Sequence, residues 1–308
     1  LTDYKITNTP FRRDPIAELA EAFDRHGLKL GFYHSLLDWH HPDYRSDWSA
    51  YVTYYQGQVK ELCTRYGDIS MMWFDGFWPD HEPPADYFVE GGPWDLAGTY
   101  DLIHELQPDA LIGNNHHISP LKGEDFQMYE QDLPGENSAG FNTGSVGKLP
   151  LESCLTINKN WGYAPDDYEH KSTSDLIRFL IECIGRDSNL LLNVGPTPMG
   201  NIQPEHSARM RGIGTWVKAH AESIYGTRSG PLPKQDWGYT VHNPETGKYF
   251  LHILSWPGDE LSLDIGNKSS ARLLADGKEI PVRQEAGRLI LALPDKAPDG
   301  VDTVVVLD

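Results

Sequence analysis

Only three cysteines occur in 308 residues, at positions 63, 154 and 183. A set that is odd in number and widely spaced excludes a disulfide-rich scaffold and offers no metal-ligand spacing. Small buried hydrophobes are the expected reading of all three. Basic residues are outnumbered: 26 Lys and Arg stand against 45 Asp and Glu, a formal charge of −19. That balance argues against nucleic acid or anionic membrane as partner, since both need a basic surface. No apolar run approaches the ~20 residues that span a bilayer. There is no Gly-x-Ser-x-Gly elbow, Walker loop or dinucleotide fingerprint. The sequence opens at Leu1-Thr-Asp-Tyr without a basic n-region or apolar h-region, so no targeting signal is visible and the compartment stays open.

What is present is an alternation of helix and strand over residues 13–223. Asp14-Pro15 supplies an N-cap and a first helical proline for a helix carrying Ile16, Leu19, Ala20 and Phe23 on one face and stopping at Gly27. Residues 28–34 then read as a strand. A second helix, about 47–65, places Trp48, Tyr51, Val52, Tyr55, Val59 and Leu62 at helical spacing. A third runs from about Trp94 to Leu106 and feeds Ala110-Leu-Ile-Gly-Asn114; residues 116–150 read as a long loop of the kind that usually carries function. Strands at 151–157 and 189–194, a helix ending at Gly185 and another over 204–223 complete this region. Such alternation predicts a parallel sheet with crossover helices. Five strands are countable where a closed barrel has eight. After Gly230-Pro231-Leu232-Pro233 the pattern changes to short period-two segments between Gly, Asn and Asp turns, which predicts an antiparallel β-sandwich. The expected domains are therefore 1–228 and 229–308.

The most informative stretch is Ile69-Ser-Met-Met-Trp-Phe-Asp75-Gly-Phe-Trp78. A continuous apolar run reads as a buried parallel strand, and Asp75 ends it, where an α/β barrel places its chemistry. Trp73, Phe74, Phe77 and Trp78 could wall a sugar; alternatively Asp75 caps the next helix and the aromatics are core. Other strand ends gather Tyr33, His34, Asp38, Trp39 and His40-His41, then Asn114-Asn115-His116-His117, with Glu124, Glu130, Asp132 and Glu136 in the long loop. Carboxylates, aromatics and amide or imidazole donors on one face suit a polyol, and paired carboxyls suit glycoside hydrolysis. The His-His pairs raise a metal-dependent barrel hydrolase as a competitor. It would want a His-x-His on an early strand, which is lacking, and neighbouring strand residues point to opposite faces.

Several segments together resemble the α-L-fucosidases of glycoside hydrolase family 29. They are Phe32-Tyr33-His34-Ser35 through Trp39-His-His-Pro42, Trp73-Phe-Asp75-Gly, Gly123 through Tyr129-Glu130-Gln, Glu152 through Asn158 with Trp161-Gly-Tyr163, Asn189 through Pro196, and Ala221 through Thr227. The resemblance spans residues 1–228 and implies a (β/α)8-type barrel followed by a β-sandwich. It also implies a retaining exo-hydrolase of terminal α-L-fucosides on a glycan or glycoconjugate, working without metal or cofactor. By position, Asp75 would be the nucleophile and Glu130 the acid/base, with Glu152 the rival glutamate. His34, Trp39, Trp73, His116, Glu152 and Trp161 would contact substrate. Donors such as His34 or His116 should keep Asp75 ionised, and an aromatic seat near Tyr129 and Trp161 should keep Glu130 protonated.

The family's Lys-His-His-Asp-Gly-Phe motif precedes a segment like Leu1-Thr-Asp-Tyr, so the barrel is expected to lack its N-terminal strands in this chain. Two readings compete with fucoside hydrolysis: another retaining glycosidase on the same scaffold, and a carbohydrate-binding pseudoenzyme. Oligomeric state is open, a homo-oligomer included, and loops 79–94 and 118–150 are expected to set the aglycone.

Overall fold

The computed structural model describes residues 1–44, 46–76, 94–142, 144–266 and 268–308. The chain forms two compact units, Leu1–Tyr129 with Gly140–Pro150, and Glu130–Ala139 with Leu151–Asp308. Parallel strands occur in both and antiparallel sheets in the second. The architecture is α/β with an added antiparallel part.

In the first unit, helix α1 (Pro15–Arg25) starts where the Asp14 carboxylate accepts the N–H groups of Ile16 and Ala17 at 3.0 and 3.1 Å. Those are two of the donors a helix start leaves without an intrahelical partner. Ala20 and Phe23 pack on the core, but Leu19, expected beside them, is turned to solvent. Strand β1 (Gly31–Ser35), helix α2 (Trp48–Arg65), strand β2 (Met71–Asp75), helix α3 (Leu96–Leu106) and strand β3 (Leu111–Asn114) follow. The three strands form one parallel sheet in the order β1-β2-β3, with Tyr33 opposite Trp73, Ser35 opposite Asp75 and Phe74 opposite Asn114. Met72, Phe74 and Ile112 meet Tyr51, Tyr55, Val59, Tyr100 and Ile103 of the helices in one buried core. The opposite face, with Tyr33, Ser35, Trp73 and Asp75, is left for chemistry.

The 116–150 stretch is not all loop. Gln127–Glu130 form strand β4, with Gln127, Met128 and Tyr129 buried. A four-residue strand with two apolar members has too little period to be seen among acids and glycines.

In the second unit, strand β5 (Leu151–Thr156) pairs in parallel with β6 (Ser188–Asn193) through helix α4 (Thr173–Gly185). Ser172 and Asp175 make a reciprocal capping box at the start of α4. The 204–223 helix is broken at His220 into α5 (Pro204–Ala219) and α6 (Ala221–Ile224). The remaining strands are β7 (Arg228–Ser229), β8 (Gly238–His242), β9 (Tyr249–Ile253), β10 (Glu260–Leu263), β11 (Ala271–Leu273), β12 (Glu279–Ile280), β13 (Val282–Glu285), β14 (Arg288–Ala292) and β15 (Thr303–Leu307). They make a six-stranded sheet β12-β11-β15-β9-β8-β7 and a three-stranded sheet β10-β14-β13, both antiparallel. Leu251, Leu261, Leu289, Leu291, Val305 and Leu307 share the core of the two sheets. Val304 and Val306, on the other face of β15, pack with Val241, Phe250 and Ile184, which explains the unbroken apolar run there.

All three cysteines are buried, Cys63 in α2, Cys154 in β5 and Cys183 in α4. Burial pushes the Cys63 thiol up to about 11 and the Cys183 thiol up to about 12.

Candidate active site

Asp75 is the last residue of β2 and half-buried. Its Oδ2 accepts the Tyr33 hydroxyl at 2.6 Å, and its Oδ1 accepts Asn115 Nδ2 at 3.3 Å. Each donor is delivered by backbone pairing. Tyr33 lies two residues before Ser35, the partner of Asp75, and so shares its face. Asn115 extends β3, and its N–H donates to the Phe74 carbonyl at 2.9 Å. The Tyr33 and Trp73 rings stack with centroids 5.5 Å apart, giving the carboxylate an aromatic floor. The chain then leaves through Gly76 at φ 82°, where a Cβ would stand 2.7 Å from Leu37 Cγ; only glycine fits both demands.

The expected histidine contacts do not fit this placement. His34 alternates to the opposite face, with its ring centroid 5.9 Å from that of Phe74 and 6.2 Å from that of Tyr55. Its Nδ1 is shut from solvent, and burial pushes the imidazole down to about 4. Tyr33, which went without an assigned contact, occupies the face beside Asp75. His116 is buried, and its Nε2 meets Glu124 Oε1 at 2.9 Å while Nδ1 accepts the Ile118 N–H at 3.2 Å. Both ring nitrogens are therefore committed within the loop. His41 and His117 pack against Tyr54 and Phe141 respectively. Trp39 lies in the turn after β1, 74% exposed. Phe77, Trp78 and residues 79–93 of the expected aglycone loop lie outside the described residues.

The remaining candidates belong to the second unit. Glu130 closes β4 and is half-buried. The chain turns at once, with Gln131 at φ 54° donating its N–H to the Cys154 carbonyl at 2.8 Å. The competing acids of the loop have structural partners. Asp132 accepts the Ala139 N–H at 2.9 Å and the Ser138 N–H at 3.1 Å; Glu136 pairs with Arg186; Glu124, in the first unit, holds His116. Glu152 is the second residue of β5, so it sits at the strand's beginning, roughly 13 Å in strand rise before Thr156. Trp161, 39% exposed, lies in the loop beyond β5, its carbonyl accepting Asn193 Nδ2 from the end of β6 at 2.7 Å. The structure thus gathers Asp75, Trp73, Tyr33 and Asn115 around one carboxylate, and sets Glu130 and Trp161 at the C-terminal sides of their strands.

Comparison with known proteins follows the same line. The sequence model of the α-L-fucosidase family matches residues 1–222. An α-L-fucosidase of Branchiostoma floridae is 28% identical over 86% of this chain and 58% of its own length. One from Dictyostelium discoideum is 27% identical over 92% of this chain and 64% of its own length, so the chain spans less than two thirds of either relative. Among solved structures, α-L-fucosidase isoenzyme 1 from Paenibacillus thiaminolyticus superposes with a TM-score of 0.82 at 34% identity, over 99% of this chain and 78% of that one. A GH29 α-L-fucosidase from Bacteroides thetaiotaomicron, captured as a trapped covalent intermediate, gives 0.82 at 27% identity over 100% of this chain and 74% of its own. The chain belongs to the α-L-fucosidase family.

Proposed function

We propose that this protein is a glycoside hydrolase that removes terminal α-L-fucose from glycans or glycoconjugates by double displacement. The observation that supports it most is the Asp75 carboxylate at a parallel-strand end, with Tyr33 and Asn115 each holding one oxygen. A nucleophilic carboxylate needs neighbours that fix its direction. In the first step Asp75 attacks the anomeric carbon, the C1–O bond breaks, and Glu130 gives its proton to the departing oxygen. In the second, Glu130 takes a proton from water as that water attacks C1 and releases Asp75. The trapped covalent intermediate of the Bacteroides relative, formed from 2-fluoro-fucosyl fluoride, supports the same course here. Trp73, with Tyr33 stacked on it, is assigned to the sugar's apolar face. Trp39 and Trp161 are assigned to groups further out.

The reading includes strands of a (β/α) barrel, fewer than the eight of a closed one, over 1–228 and a β-sandwich domain over 229–308. Neither step uses a metal or cofactor. The test is Asp75→Ala and Asp75→Gly on an aryl α-L-fucoside. Both should lose turnover by about 10³-fold or more and recover part of it with added azide as a fucosyl azide. Wild-type rates in either variant would end the proposal, and turnover of a different aryl glycoside would reassign the sugar.

A further inference from the structure

Behind Asn115 lies a buried polar cluster that the reaction itself does not use. Glu124 is its hub: Oε1 accepts the Tyr100 hydroxyl at 3.1 Å and His116 Nε2 at 2.9 Å, and Oε2 accepts the Leu121 N–H at 3.0 Å. Asn114 Nδ2 donates to the Tyr100 oxygen at 2.9 Å. The donor order is self-consistent. Because His116 Nδ1 accepts the Ile118 N–H, the ring proton sits on Nε2 and points at Glu124. Burial first, and the Glu124 carboxylate next, push the Tyr100 phenol well up, so it stays a donor. Three donors thus stabilise one buried carboxylate, which would otherwise be costly to desolvate. His117 takes φ 60° to close the loop, and Gly123 at φ 97° lies against Tyr100, where a Cβ would stand 3.1 Å from the Tyr100 Cβ.

The residue between the two anchors, Asn115, is the one that touches Asp75. Asn114 is tied to α3 through Tyr100, and His116 is tied to Glu124. We infer that Glu124, with His116 and Tyr100, is a positioning device that aims the Asn115 amide at Asp75 and so fixes which carboxylate oxygen is offered to the sugar. Glu124 acts through Asn115 and never meets substrate. This rests on the proposed role of Asp75, but the geometry can be read without any sugar.

The experiment is the side-chain amide signal of Asn115 in 1H–15N spectra, combined with kinetics on an aryl α-L-fucoside. In Glu124→Gln the amide pair should shift, because one hub atom becomes a donor facing donors. The kcat should fall roughly 10–100-fold with KM changed by no more than about threefold, as expected when a reacting group is misaimed. The double variant Asn115→Ala/Glu124→Gln should be no slower than Asn115→Ala alone, since residues acting as one unit are not additive. Should Glu124→Gln fail to fold, Tyr100→Phe removes one hub donor and keeps the ring; the same shift, smaller, is expected. An unmoved Asn115 amide in a folded variant, or multiplied kinetic losses, would overturn the inference. If the wild-type protein turns over no fucoside while the amide still shifts, the fucosidase reading fails and the positioning device stands.

Discussion

The hydroxyl of Tyr33 lies 2.6 Å from Oδ2 of Asp75, across 42 residues of sequence. Parallel pairing of β1 and β2 produces that approach, and the stack of Tyr33 on Trp73 holds the ring in place. A hydrogen bond to a charged group is worth about 1.5–3 kcal/mol, with the low end apt for a tyrosine this exposed. Tyr33→Phe keeps the stack and removes only the donor. Its kcat on an aryl α-L-fucoside should drop by about tenfold while the melting temperature stays within a few degrees. A variant as fast as the parent would show that Asn115 alone suffices to orient the carboxylate.

His34 makes folding sensitive to acid. Its imidazole is pushed by burial from 6.5 down to about 4 in the folded chain. The unfolded state therefore binds a proton more readily, and stability present above pH 6.5 is lost as pH falls towards 4. His34→Phe should flatten that part of the profile. Melting temperatures recorded between pH 7 and about 4 check it: equal acid slopes for parent and variant would assign the loss to other groups.

Two glutamates compete for the acid role, and leaving-group dependence separates them. Removing a general acid harms substrates with poor leaving groups most, since activated phenols depart without a proton. Glu130→Gln should slow a fucosyl disaccharide by roughly 10³-fold and a nitrophenyl fucoside much less. Glu152→Gln, at the far end of its strand, should slow both by similar, smaller factors. The reverse pattern would hand the role to Glu152.

Much of this was legible from residue order. The cap at Asp14, the strand ending in Asp75 and the late antiparallel strands follow from turn chemistry and period. What escaped depended on parity or on partners far along the chain. Alternation says that Tyr33 and His34 point opposite ways, but only the core shows which of them meets the helices. Strand β4 is too short to carry a period. His116 resembled a sugar contact by position, whereas its pairing with Glu124 depends on a loop closing on itself. The break at His220, whose ring stacks on Trp216 at 4.2 Å, leaves no mark in composition.

The raised thiols have a practical side. A folded chain presents no ready thiol to an alkylating reagent, because the reactive form is the thiolate and these groups are shut from water. Cys63 belongs to one compact unit, Cys154 and Cys183 to the other. Modification at each site thus times the opening of its own half, and the protein carries native clocks for the order in which its halves come apart.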